Sequence, residues 1–179
     1  MSSNVTVVLD HVNDVVRSIE KLVLMRVMVG IPAEKAAREG SPINNAALGY
    51  IHENGAPEVN IPARPFLLPG VRAVQQQTID GFKVAGELAF AGRPEAVERQ
   101  FHRIGLAAVA SIKAVINAGV PPPLAESTLE ARTRRGRKGA KQELKNRAAG
   151  LPPAIDLAKP LIDTGQLRNS ITYVLRGNV

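Results

Sequence analysis

The chain of 179 residues is long enough for one domain with an appended arm, and at this size roughly 70% of the unfolded surface can be buried. It contains no cysteine, which excludes disulfides and thiolate metal sites, and an aromatic content of 3% without tryptophan argues against a base-stacking platform. A net charge of +7 and a pI of about 10.1 raise nucleic acid or an acidic protein surface as partner, while the absence of a leader-like segment or a bilayer-length apolar run predicts a soluble protein made in the cytoplasm, with no membrane contact.

Asp10 can cap a helix whose apolar positions Val12, Val15, Val16, Ile19 and Leu22 follow the helical period. Val23 to Val29 alternates instead, with Val23, Met25, Val27 and Val29 on one face, and Gly30 and Pro32 end that strand. Residues 33–40 show no period and read as a loop. Ser41-Pro42 resembles a cap followed by a first-turn proline, and Ile43, Ala47, Tyr50 and Ile51 supply the stripe of a helix that stops at Gly55.

Residues 56–70 carry Pro57, Pro62, Pro65 and Pro69. Proline fixes its own φ and pushes the preceding residue towards extended geometry, so this is a stiff arm. It bears Ile61, Arg64, Phe66, Leu67 and Leu68, a set suited to contact with a neighbouring subunit, because a stiff segment loses little entropy on binding. The other reading is a proline-rich connection packed on its own domain.

A helix over 70–90 is expected from Val71, Val74, Thr78, Phe82, Ala85 and Ala89, and a second over 94–118 from Val97, Phe101, Ile104, Ala108, Ile112 and Val115, the two packing as a hairpin. Gly119 and Pro121-Pro122-Pro123 end the second. A short helix near 124–131 follows, capped or preceded by Ser127. Arg132, Arg134, Arg135, Arg137, Lys138, Lys141, Lys145 and Arg147 then crowd a stretch with three glycines and Pro152-Pro153, which predicts a flexible basic loop over 132–160. Asp163 with Gln166 can form a capping box, and Ile171, Tyr173 and Leu175 alternate in a closing strand able to pair with Val23 to Val29.

Three ordered blocks carry a family likeness: Ile51-His52-Glu53-Asn54-Gly55 with Ile61-Pro62-Ala63-Arg64-Pro65-Phe66; Pro122-Pro123-Leu124 with Ser127-Thr128-Leu129; and Pro160-Leu161-Ile162-Asp163-Thr164-Gly165-Gln166-Leu167-Arg168-Asn169-Ser170-Ile171. Their order resembles the tail-completion and virion-morphogenesis proteins of tailed bacteriophages. The resemblance implies a structural, non-enzymatic subunit of the neck or upper tail. Such a subunit is assembled in the host cytoplasm into a hexameric ring between the head connector and the tail terminator or tube. The linker here is longer and more basic than in the family's compact members, which leaves the neck layer open. A tail terminator that caps tube growth, or a DNA-binding accessory protein, are the alternatives.

Motifs that suggest chemistry are weak by comparison. Asp163-Thr164-Gly165 has the form of an aspartic protease motif, whose paired carboxylates share a proton, yet only 14 residues follow Gly165, too few for the sheet and flap of a retroviral-type enzyme. His52-Glu53 begins a metalloprotease motif, but Ala56 stands where the second histidine is needed. His11, His52 and His102 read as ordinary histidines, and no cofactor is implied. Arg132, Arg134, Arg135, Arg137, Lys138 and Lys141 are candidates for non-specific contact with packaged DNA, with steep salt dependence, or for pairing with acidic residues of a neighbour.

The fold expected is therefore α+β, a single domain over 1–179. Its small, mostly antiparallel sheet (23–29, 171–176 and residues 5–9) is covered by helices at 43–54, 70–90 and 94–118.

Overall fold

The computed structural model describes residues 11–177 and is α+β. Among the described residues the α-helices are α1 (Val12–Leu24), α2 (Asn45–Asn54), α3 (Leu67–Ala73), α4 (Gln75–Phe90), α5 (Pro94–Ala118), α6 (Glu126–Arg134), α7 (Lys138–Ala148) and α8 (Gln166–Ser170); the strands are β1 (Arg26–Gly30) and β2 (Thr172–Arg176). The expected strand at 5–9 and the cap at Asp10 lie outside the described residues.

Helices α1, α3 and α4 and both strands pack on α5. Val97, Phe101, Ile104, Ala108, Ile112 and Ile116 recur at three- and four-residue steps and are buried along its length. Helix α4 returns antiparallel beside it, Phe82 meeting Phe101 edge to face at 5.4 Å and small Ala85 and Ala89 allowing close approach. Helix α1 lies across both and is tied down by Lys21 Nζ to Glu98 Oε2 at 2.6 Å. Gly119, at φ +96°, ends α5.

The two strands pair antiparallel with Val27 opposite Leu175 and Val29 opposite Tyr173, as the alternating patterns predict. Strand β1 starts later than expected because α1 runs on to Leu24, keeping Ile19 and Leu22 in the cluster formed with Val97 and Phe101. Tyr173 crosses α5 at Gly105, where a Cβ would fall 2.3 Å from the ring, and receives or donates a hydrogen bond at 2.8 Å with His102 Nδ1.

Three expected elements need correction. Helix α2 is capped by Asn44, whose Oδ1 accepts Ala47 N–H at 2.8 Å, not by Ser41. Its buried face is Asn45 and Gly49, while Tyr50 is 72% exposed, because Asn45 is held inside by Ala37 O and Arg38. The single helix expected over 70–90 is two, bent at Val74 (φ −111°, ψ 17°). Gly70 seats α3 on α5, since a Cβ there would lie 2.6 Å from Ile112 Cα, and Ser111 Oγ donates to Gly70 O at 2.7 Å.

The third correction concerns the flexible loop expected over 132–160. Residues 132–148 belong to a helical hairpin of α6 and α7 with a core of its own, Leu124, Leu129, Ala140 and Ala158, flanked by Leu144, and only 149–160 are without helix or strand. Its low apolar content conceals this, because the packing side of α7 includes an ion pair. Glu143 is buried and accepts Arg147 Nε and Ala154 N–H, both at 2.9 Å, and Arg147 Nη1 donates to Leu124 O at 3.0 Å. Ser127 neither caps nor precedes α6; the N-cap is Ala125.

Candidate functional site: an arginine-lined cleft

The proline arm folds back on its own chain. Ala56 and Ile61 form an isolated antiparallel bridge, and Arg64 N–H donates to His52 O at 2.6 Å. Arg64 is buried, its Nε donating to Pro122 O at 3.0 Å and Nη2 to Pro123 O at 3.1 Å. Phe66 is 2% exposed and packs with Ile112, Ile116, Leu167 and Ile171, Leu67 lying partly buried against the same cluster. The arm residues expected to reach a neighbour, Arg64, Phe66 and Leu67, are thus turned inward. Ile61 is half-buried in the wall of a cleft, and Leu68 alone remains substantially outside, at 50% exposure.

The basic run divides by what each side chain touches. Arg132 is buried and donates from Nη1 to Lys159 O at 3.0 Å. Arg135 and Arg137 hold opposite oxygens of Asp163, at 2.7 and 2.9 Å. Asp163 therefore anchors the hairpin to the following segment and does not cap α8, whose N-cap is Gly165 at φ +81°. Arg134, Lys138, Lys141 and Lys145 are exposed and have no ion-pair partner among the described residues. Lys138, Lys141 and Lys145, spaced three and four apart, share the outer face of α7.

Between the arm, α6 and the Asp163 loop lies a cleft of about 380 Å³. Arg38, Arg64, Arg132 and Arg135 line it together with His52, and Ile61, Leu124 and Leu161 give it apolar walls. Asp163 is the one carboxylate among its lining residues. Burial holds the Arg64 and Arg132 guanidiniums below their ordinary pKa. Burial first, then the charges of Arg64, Arg38 and Arg132, lowers the His52 pKa to about 4. His52 Nδ1 is buried without a hydrogen-bond partner. No group of three His, Asp or Glu side chains placed to hold a metal occurs among the described residues.

Arg38 falls in the stretch read as a loop, and His52 and Thr128, though within the blocks that carry the family likeness, were not singled out as site residues; they meet because three distant segments converge on one cleft. Glu53, read as half of a metal motif, instead caps α3, accepting N–H groups of Phe66, Leu67 and Leu68.

Comparison with protein-family models, with curated proteins and with solved structures finds no match for this chain. Among the described residues no helix is long and apolar enough to cross a membrane.

Proposed function

We propose that this chain is a structural subunit of the bacteriophage neck or upper tail, forming a ring that joins the head connector to the tail tube within the virion. The observation that supports the reading is spatial. The three sequence blocks that carry the family resemblance, far apart in the chain, meet in one clasp: Arg64 of the first block binds the carbonyls of Pro122 and Pro123 of the second, and Asp163 of the third completes the same cleft wall. Residues shared in a fixed order are then shared because they hold one architecture.

With Arg64 and Phe66 inside, the subunit contacts come from apolar side chains left outside. Leu68 and Val71 on α3, and Ile79, Phe82 and Phe90 along one side of α4, are between 39% and 73% exposed, and covering such a set on assembly removes apolar surface from water. The test is the native mass of the purified chain across a concentration series, alone and with isolated tail tubes, with negative-stain imaging of the mixture. Rings or decorated tube ends are expected, and blocked tube growth would identify a terminator. A strict monomer that ignores tails would overturn the reading.

A second reading, a DNA-binding accessory protein, is favoured by the unpaired Lys138, Lys141 and Lys145 face. Replacing all three by Gln separates the two: ring formation survives if the chain is a neck subunit, whereas a DNA binder loses its retention of duplex.

A further inference from the structure

Four guanidiniums face one carboxylate in the cleft, and that carboxylate is already taken on both oxygens by Arg135 and Arg137. Arg64 engages Nε and Nη2, Arg132 engages Nη1, and Arg38 engages Nη1 with Asn45. Arg64 Nη1 and Arg132 Nη2 make no hydrogen bond among the described residues and, unlike His52 Nδ1, still reach the open space of the cleft, although each residue as a whole is more than nine-tenths buried. Helix α6 opens on the same space with Ala125 at its N-cap, so no side chain serves its first N–H groups. His52 Nδ1 adds a sealed polar atom with nothing to bond. Buried cations and free donors of this kind are stabilised by an oxyanion, above all by one that guanidinium can hold in a fork.

The walls say what carries the anion. Leu48, Ile61, Leu124 and Leu161 line the cleft beside the arginines, and a volume of about 380 Å³ admits a side chain with its flanking residues but not a nucleic-acid duplex. We infer that the cleft is a recognition site for a carboxylate carried between apolar residues on a peptide segment of a partner protein. The inference is independent of the neck reading, since it rests on the cleft alone.

The experiment titrates the full ¹⁵N-labelled chain with N-acetyl-Ile-Glu-Ile-amide, with its Gln counterpart, and with inorganic phosphate, following the arginine Nε–H and His52 ring signals by NMR. The Glu peptide is expected to shift both sets saturably, and the Gln peptide to bind about tenfold more weakly, the difference a charge-assisted hydrogen bond makes. Arg38→Gln, at the half-buried rim, should weaken the Glu peptide by about the same factor while leaving the affinity for the Gln peptide unchanged, a split that the lost bond to Asn45 Oδ1 would not by itself produce. Arg135→Gln, at an exposed position where Arg137 still holds Asp163, repeats the test if Arg38→Gln fails to fold. Equal affinity for the Glu and Gln peptides, unmoved signals, or phosphate binding as tightly as the Glu peptide would overturn the inference.

Discussion

The carboxylate of Glu53 accepts the backbone N–H of Phe66 at 2.7 Å, and with it those of Leu67 and Leu68, each at 2.9 Å. Pro69 has no N–H, so the start of α3 leaves three orphaned donors, and the last turn of α2 satisfies all three, while the negative charge complements the helix dipole. The contact also sets the angle at which the arm delivers Phe66 to the core. Glu53→Ala should cost about 1–3 kcal/mol, the scale of a lost charge-assisted bond with its donors left unpaired, read as a lower urea midpoint. Glu53→Gln should lose less, because one amide oxygen still accepts. An unchanged midpoint for Glu53→Ala would mean that water serves these donors equally well.

Phe66→Ala should destabilise the isolated chain by about 3–5 kcal/mol, as expected when a buried aromatic leaves a cavity. The residue is 2% exposed and sits among Val109, Ile112, Ile116 and Ile171. The measurement is equilibrium unfolding of the monomer at low concentration. Full stability there, with a defect only in assembly, would return Phe66 to a subunit contact.

His52 makes part of the stability depend on acid. Its folded pKa of about 4 lies below the ordinary 6.5, so the unfolded chain binds the proton first. The contribution is complete above pH 6.5 and is lost as pH falls towards 4, an effect on the order of 1–3 kcal/mol after screening by solvent at a partly open cleft. Glu98, lowered mainly by its hydrogen bond from Lys21, and Glu143, lowered mainly by Ala154 N–H, act in the same direction but only below their ordinary value of 4.5. Unfolding curves of the wild type and His52→Gln between pH 7 and pH 4.5 isolate the histidine. The variant's stability should be nearly flat there, and an unchanged slope would assign the loss to other groups.

Duplex DNA, where it binds at all, should be held by the outer face of α7. Arg132, Arg135, Arg137 and Arg147 are engaged within the chain, which leaves Arg134, Lys138, Lys141 and Lys145 from the basic run. Each phosphate neutralised contributes about −0.9 to the slope of log affinity against log salt. Replacing Lys138, Lys141 and Lys145 by Gln should therefore flatten the slope by about 3, measured by fluorescence anisotropy across a salt series. The triple variant keeping the wild-type slope would place the contact elsewhere.

The helices that proved easiest to read are those whose side chains meet one neighbour along their whole length. The α5 stripe from Val97 to Ile112, its stop at Gly119 and the alternation of Ile171, Tyr173 and Leu175 were legible because burial on one face imposes a period on the sequence. Where a buried face is polar, that signal vanishes. Asn45 on α2 points inward because hydrogen bonds hold it there, Gly49 because its missing side chain leaves room for Ile31, Phe66 and Leu167, and Glu143 with Arg147 on α7 because they bond each other, although Glu143 Oε2 and Arg147 Nη2 stay unpartnered, so a hydropathy pattern reads the α6–α7 hairpin as a loop and turns α2 towards Ile43 and Tyr50.

Local stiffness was legible in single residues only in part: the prolines keep 62–66 out of any helix, whereas Pro57 opens a 3₁₀ turn that closes through the Ala56–Ile61 bridge and Pro69 lies within α3. Which way the arm faces is a different matter. Arg64 turns inward because two carbonyls at Pro122 and Pro123, nearly sixty residues away, await its donors, and Phe66 follows because Glu53 holds its N–H. Residue spacing encodes periodicity, stiffness and chain breaks, each a property of neighbours along the chain. The direction of the arm, the roles of Glu53 and Asp163 and the gathering of Arg38, His52, Arg64 and Arg132 into one cleft depend on partners that only folding brings within bonding distance.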